Sequence, residues 1–213
     1  MNQLRCLILI LILPLPLLAL SLQGCIEMAV VGAGAVAMSA VDRRTTGAQV
    51  EDEGIELRAR NRISERWSDK VSVGVTSFNR SVLLTGTSTD AKARADIENL
   101  VKTLPNVRSV TNDIAVGGAQ SAPATANDAF ITGKVKARFV DSGKFSAVHV
   151  KVVTEASVVY LLGLVTESEA NEAVELTRTT GGVRKVVKVF EYCKQTDAAC
   201  APSARPKATE AKK

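Results

Sequence analysis

A chain of 213 residues, 46% hydrophobic and 23% charged, has ordinary globular usage; it is not a wholly disordered polymer and has room for one large domain or two small ones. Aromatics are only 4%, so the core must be aliphatic, and a single histidine, His149, argues against His-based metal sites and Ser-His-Asp triads. The net charge of +5 sits mostly in the tail, since residues 51–116 carry 10 basic and 10 acidic side chains, residues 127–192 carry 9 and 8, and residues 193–213 carry 5 and 2. No domain is basic, and nucleic acid is not an expected partner.

The chain opens with a short positive stretch ending at Arg5, and Cys6 to Leu22 is then almost purely apolar. Pro14 and Pro16 weaken that run as a spanning helix. Leu22-Gln23-Gly24-Cys25 follows, with a small residue before the cut site and a cysteine after it. This looks like the lipobox of bacterial lipoproteins. The resemblance implies a signal peptide over 1–24, with Cys25 as the acylated, palmitate-bearing first residue of the mature chain. Ile26, where an aspartate would favour inner-membrane retention, implies an outer-membrane anchor facing the periplasm. Several acyl chains on one residue give stable anchoring, at roughly 0.8 kcal/mol per buried methylene. Residues 25–50 are then a lipidated N-terminal segment. Within it, Met28 to Val41 is uncharged but too short to span a bilayer. Packing on the domain and lying on the membrane surface both remain open for it.

The body of the chain repeats itself. Val82-Leu83-Leu84-Thr85-Gly86 corresponds to Val159-Tyr160-Leu161-Leu162-Gly163, and Val107-Arg108-Ser109-Val110 to Val183-Arg184-Lys185-Val186. Upstream, Asp52, Ile55, Ala59 and Ile63 correspond to Asp128, Ile131, Val135 and Phe139. The copies span 51–116 and 127–192. Between them 117–126 (GGAQSAPATA) is a linker by composition. In the second copy Ile131, Val135 and Phe139 predict a helix, with Asp128 as its N-cap or first-turn acid. An alternating strand over 148–152 comes next, with His149 on it. A turn at Glu155-Ala156-Ser157 leads to a strand over 158–165, ended by glycine. Thr166 and Glu169 form a capping box for a second helix, which stops at Gly181-Gly182. A last strand runs over 183–192. The order is α-β-β-α-β, an α+β fold in which each copy is a two-layer sandwich of a three-stranded sheet and two helices. At about 65 residues each copy is marginal alone, so the two are expected to dock.

Two such copies, with Gly86 and Gly163 at matching places, resemble BON domains. The lipobox, Asp42-Arg43-Arg44-Thr45-Thr46-Gly47, Asn127-Asp128 and Gly163-Leu164-Val165-Thr166-Glu167 narrow the resemblance to the dual-BON-domain outer-membrane lipoproteins of the DolP type. It covers about residues 22–192.

No catalytic constellation is present, and neither an enzyme, a cofactor nor a metal site is expected. His149 reads as a structural or solvent-facing strand residue. Glu167, Glu169, Glu172 and Glu175 read as a solvated helix face. Cys193 and Cys200 remain after lipidation in an oxidising compartment and are expected to form a disulfide on the basic tail, 193–213.

The first helix of the second copy carries the candidate site. At 100° per residue, Phe130 lies roughly 140° from the core stripe, pointing away from its own core. Lys134 follows one turn along with Ala137 beside it, Lys136 lies on the other flank and Arg138 on the stripe edge. From the residues alone, Phe130 either enters the acyl boundary of a membrane while cations meet phosphates, or packs on copy one or the linker. The family resemblance implies the first, with Phe130, Gly133, Lys134, Ala137 and Arg138 as the phospholipid-binding set. It implies a non-enzymatic lipoprotein that binds anionic phospholipid and supports envelope integrity and cell division. The alternative is a periplasmic interaction scaffold serving outer-membrane assembly or division proteins. The first copy, with Arg58, Arg60, Arg62 and Arg66 among Glu56 and Glu65, reads as scaffold. Trp67 is expected to be partly buried.

Overall fold

The computed structural model describes residues 42–194, 196–197 and 199–200; the predicted signal peptide, Cys25, the segment 28–41 and the tail beyond 200 lie outside them. The first copy consists of α1 (Thr46–Trp67), β1 (Val71–Phe78), β2 (Ser81–Ser88), α2 (Ala91–Lys102), β3 (Ser109–Asn112) and β4 (Ala115–Val116). The second consists of α3 (Ala122–Ser142), β5 (Val150–Glu155), β6 (Val158–Val165), α4 (Glu167–Arg178) and β7 (Lys185–Tyr192). Both follow the predicted α-β-β-α-β order. In each sheet the middle strand is antiparallel to the strand before it and parallel to the one after the second helix, giving orders β1-β2-β3 and β5-β6-β7. The last strand of the first copy breaks at Asp113 and Ile114 and resumes as β4 beside the end of β2.

The middle strands show why the two copies dock. β2 and β6 are apolar on both faces, the mark of strands covered on both sides. Val82 and Leu84 pack under α1 and α2, while Val159 and Leu161 pack under α3 and α4. The opposite faces meet each other, with Phe78 and Leu83 joining Tyr160 and Leu162 in one buried cluster flanked by Val153, Val187 and Val189. Polar contacts ring it. The Tyr160 hydroxyl donates to Asp113 at 2.7 Å, Lys151 donates to Glu56 at 3.0 Å and Asn79 donates to Glu191 at 2.6 Å. Burial, then Asp113, pushes the Tyr160 phenol well above its ordinary pKa.

Several boundaries differ from the sequence reading. α1 begins at Thr46, capped by the Thr45 side chain, five residues ahead of the expected domain start. α3 begins at Ala122, inside the expected linker, because Pro123 suits the first turn of a helix and the alanines after it propagate one. Only 117–121 is irregular. A 3-10 turn over Ala147–His149 replaces the start of the predicted strand, so β5 begins at Val150. β7 begins at Lys185, after Arg184 has bonded back to Ser157. Gly86 and Gly163 lie inside their strands rather than ending them.

Asp128 is not a cap. It sits in the second turn of α3, buried, and accepts from the backbone N–H of Ala156 and Ser157 at 2.7 and 2.8 Å and from Gln120 at 3.0 Å. Asp52 does the same in the first copy, accepting from the backbone of Asn79 and Arg80, both at 2.7 Å, the Ser77 hydroxyl at 2.7 Å and Arg44 at 2.9 Å. The two residues at each hairpin tip have positive φ, 50° and 66° in the first copy, 48° and 62° in the second. That backbone is costly without glycine. In each copy a buried helix carboxylate holds the tip in place.

Candidate functional site

Asp128, Ile131, Val135 and Phe139 turn one face of α3 inward, so the opposite face is fixed by helical geometry. Ala126, Phe130, Gly133, Ala137 and Val140 line that outward face and all are exposed, Phe130 to 65% and Val140 to 67%. Phe130 belongs to none of the three buried clusters. A Cβ built at Gly133 would meet nothing within 4 Å, so the glycine leaves the stripe shallow beside the ring.

The cations around this stripe divide. Lys134 lies over the Phe130 ring, 4.7 Å from its centroid, and its ammonium also donates to the Gly181 carbonyl. Lys136 is exposed on the other flank. Arg138 turns inward, donating to the Leu176 carbonyl at 2.7 Å and the Thr180 hydroxyl at 2.9 Å. It ties α3 to the end of α4 and is not part of the outward surface. Of the expected set, the structure brings Phe130, Gly133, Lys134 and Ala137 together, adds Val140 and Lys136, and removes Arg138.

A second polar centre lies at the start of α4. Glu169 was expected on a solvated face; instead it is mostly buried. It closes the capping box with Thr166, and Arg43 grips both its oxygens at 2.6 and 2.9 Å while also donating to the Leu164 carbonyl at 3.0 Å. His149, placed on the 3-10 turn rather than a strand, has Nδ1 3.7 Å from Glu169 Oε1, with its side chain 12% exposed. Arg44, the next residue, serves the first copy, pairing with Asp52 and lying 4.1 Å from the centroid of the Phe78 ring. Adjacent arginines thus clasp the two copies.

Burial pushes the Glu169 carboxyl up, but the Arg43 hydrogen bond, the Thr166 backbone and the Arg43 charge outweigh it and hold the group at about 2. A carboxyl with a lowered folded-state pKa contributes stability above its ordinary value near ~4.3 and loses it as pH falls through the folded value. Stability should therefore drop between about pH 4.5 and pH 2, by about 2 kcal/mol from this group after solvent screening. Glu169→Gln should flatten that part of the curve. Urea melts across the range check it, and an unchanged acid limb in the variant would remove the role assigned to Glu169.

The cysteines pair as expected. Cys193 and Cys200 form a disulfide with Cα atoms 6.2 Å apart, just after β7. Among the described residues no group of three His, Cys, Asp or Glu could hold a metal ion, and no helix is long and apolar enough to cross a membrane.

The BON domain model matches residues 51–118 and 127–194, the two structural copies. Outer membrane lipoprotein DolP of Haemophilus influenzae is 37% identical over 174 residues, covering 80% of this chain and 90% of that protein. The chain belongs to the dual-BON outer-membrane lipoproteins of the DolP type. Another similar protein, the 21 kDa hemolysin of Actinobacillus pleuropneumoniae, is 31% identical over 154 residues, covering 71% of this chain and 79% of its own. Among solved structures, CdsD of Chlamydia trachomatis, a structural protein of the type III secretion system, covers 64% of this chain and 91% of its own. Its 13% identity and TM-score of 0.27 mark a likeness too distant to speak to function. In this DolP-type chain the pair of BON domains is one docked body, and the outward face of α3 is an apolar stripe left uncovered by that docking.

Proposed function

We propose that this lipoprotein is non-enzymatic and binds anionic phospholipid through the outward face of α3, in support of envelope integrity and cell division. The observation that carries the reading is Phe130, 65% exposed at the centre of a smooth stripe on the face opposite the core. A large ring left in water beside small residues is what an interfacial helix presents to an acyl boundary. Lys134, stacked over the ring, and Lys136, exposed on the far flank, put positive charge at headgroup level. Gly133 and Ala137 let the helix approach closely.

Flotation of the unacylated mature chain with phosphatidylglycerol vesicles tests this, because the acyl anchor on Cys25 would otherwise carry the protein whatever α3 does. Phe130→Glu should weaken binding about tenfold or more, because it loses apolar burial of roughly 1.5–3 kcal/mol and gains repulsion from the surface potential. It should not unfold the domain, since Phe130 is 65% exposed and lies on the face opposite the core. Binding should fall as salt rises. A Phe130→Glu protein that floats as well as the parent would count against lipid binding and favour a protein-interaction scaffold.

A further inference from the structure

The four arginines of α1 are not equivalent. Arg58 pairs with Glu51 at 2.6 Å and Arg60 with Glu56 at 3.5 Å, so each charge is answered within the helix. Arg62 and Arg66 have no ion-pair partner among the described residues. They stand one turn apart, on the same side of α1, and both are exposed. Together they line a cleft of about 370 Å³ between the end of α1 and the end of α2. That volume is within the range of small-ligand sites, roughly 300–1,000 Å³.

The other walls of the cleft have a definite chemistry. Trp67, the one tryptophan of the chain, packs partly on the core of the first copy and lends the cleft an aromatic wall beside Leu100. Asn99 and Thr103 add polar groups at the rim, and the Thr103 hydroxyl already donates to the Leu100 carbonyl, leaving its oxygen as an acceptor. Asp96 also lines the cleft, held on its outer side by Lys92. Two unanswered guanidinium groups call for an anion with several oxygens, which a planar fork engages in pairs. Asp96 and the Thr103 oxygen, as acceptors, call for hydroxyl groups on the same ligand. The indole accepts its carbon skeleton.

We infer that the first BON domain carries its own binding site, in which Arg62 and Arg66 hold the phosphate of a phosphorylated polyol and Trp67 packs against its carbons. This chemistry occurs both in a free glycerol phosphate and in the headgroup of phosphatidylglycerol. The site is on the opposite copy from the α3 stripe and is independent of it.

Trp67 supplies the readout, since no other tryptophan contributes to the fluorescence. The purified full chain in nonionic detergent is titrated with glycerol phosphate, and separately with detergent micelles containing phosphatidylglycerol; glycerol and potassium chloride serve as controls. A saturable change in Trp67 emission is expected with a phosphate ester and not with the controls. Arg62→Gln with Arg66→Gln should weaken it about tenfold or more, with the circular dichroism of the parent retained. A response to the soluble ester alone identifies a free ligand; a response to the lipid micelles identifies a headgroup. Phe130→Glu should leave the response to glycerol phosphate unchanged, so failure of lipid binding at α3 and failure of this site are read separately. No saturable response to either probe, or a response that survives in the double variant, would overturn the site and return Arg62 and Arg66 to a solvated helix face.

Discussion

Asp52→Ala will cost the protein about 4 kcal/mol or more, a drop of roughly 10 °C in thermal midpoint for a domain pair of this size. Asp52 is 2% exposed and accepts four hydrogen bonds, from Ser77, Asn79, Arg80 and Arg44. Deleting the carboxylate leaves two backbone N–H groups and a buried hydroxyl without an acceptor, each worth roughly 1–3 kcal/mol. It also removes what holds Asn79 and Arg80 at positive φ, and takes away the carboxylate that Arg44 pairs with beside Phe78. Asp52→Asn keeps the shape but only one acceptor oxygen, and should cost about half as much. The effect should extend to the docked partner, because Asn79 and Phe78 both contact the second copy. Thermal and urea unfolding measure it; a loss below about 1 kcal/mol would show that the hairpin tip holds its shape without the carboxylate.

Gly86→Ala should be the most damaging of the glycine-to-alanine changes among the described residues. A Cβ at Gly86 would lie 2.0 Å from the Ser72 carbonyl oxygen, a backbone atom that cannot swing aside, and the residue has φ +102°. Steric overlap and the backbone conformation act together, so a loss beyond about 3 kcal/mol is expected. Gly163 keeps an ordinary φ but would place its Cβ 2.4 Å from the His149 carbonyl, so the same change there should be severe but smaller. At Gly133, where the added methyl meets nothing, alanine should stabilise α3 by about 0.5–1 kcal/mol. One substitution at three sites thus gives a graded series, read from urea midpoints. An equal response at Gly86 and Gly133 would show that the strands at Gly86 yield to a methyl group without cost.

The repeat, the α-β-β-α-β order and the exposure of Phe130 were legible because each rests on local periodicity. A helix rotates by a fixed angle per residue, so the inward positions of Ile131, Val135 and Phe139 dictate where Phe130 points. The correspondence of Asp52 with Asp128 was visible too, but its meaning was not. A carboxylate near a helix start resembles a cap until the hairpin it grips, some 28 residues on, is placed beside it. Arg43 and Glu169 are 126 positions apart, so nothing near Glu169 in the chain marks it as buried. Arg138 failed for a related reason. On a helical wheel it stands at the edge of the core stripe, and only the position of α4 decides whether the guanidinium turns to solvent or to the Leu176 carbonyl.

The clasp formed by Arg43 and Arg44 also sets an order of events. The chain is made from its N-terminus, and Arg44 finds Asp52 within the first copy as soon as that copy forms. Arg43 must wait for Glu169, which is synthesised more than a hundred residues later. The contact of longest sequence span among these carries the largest loop-closure cost, which the sheet-to-sheet docking offsets. Until that docking the first copy exposes Phe78 and Leu83, which the second copy will cover. A chain in which only the first copy has formed is half a core with an apolar face uncovered, the kind of surface on which aggregation starts.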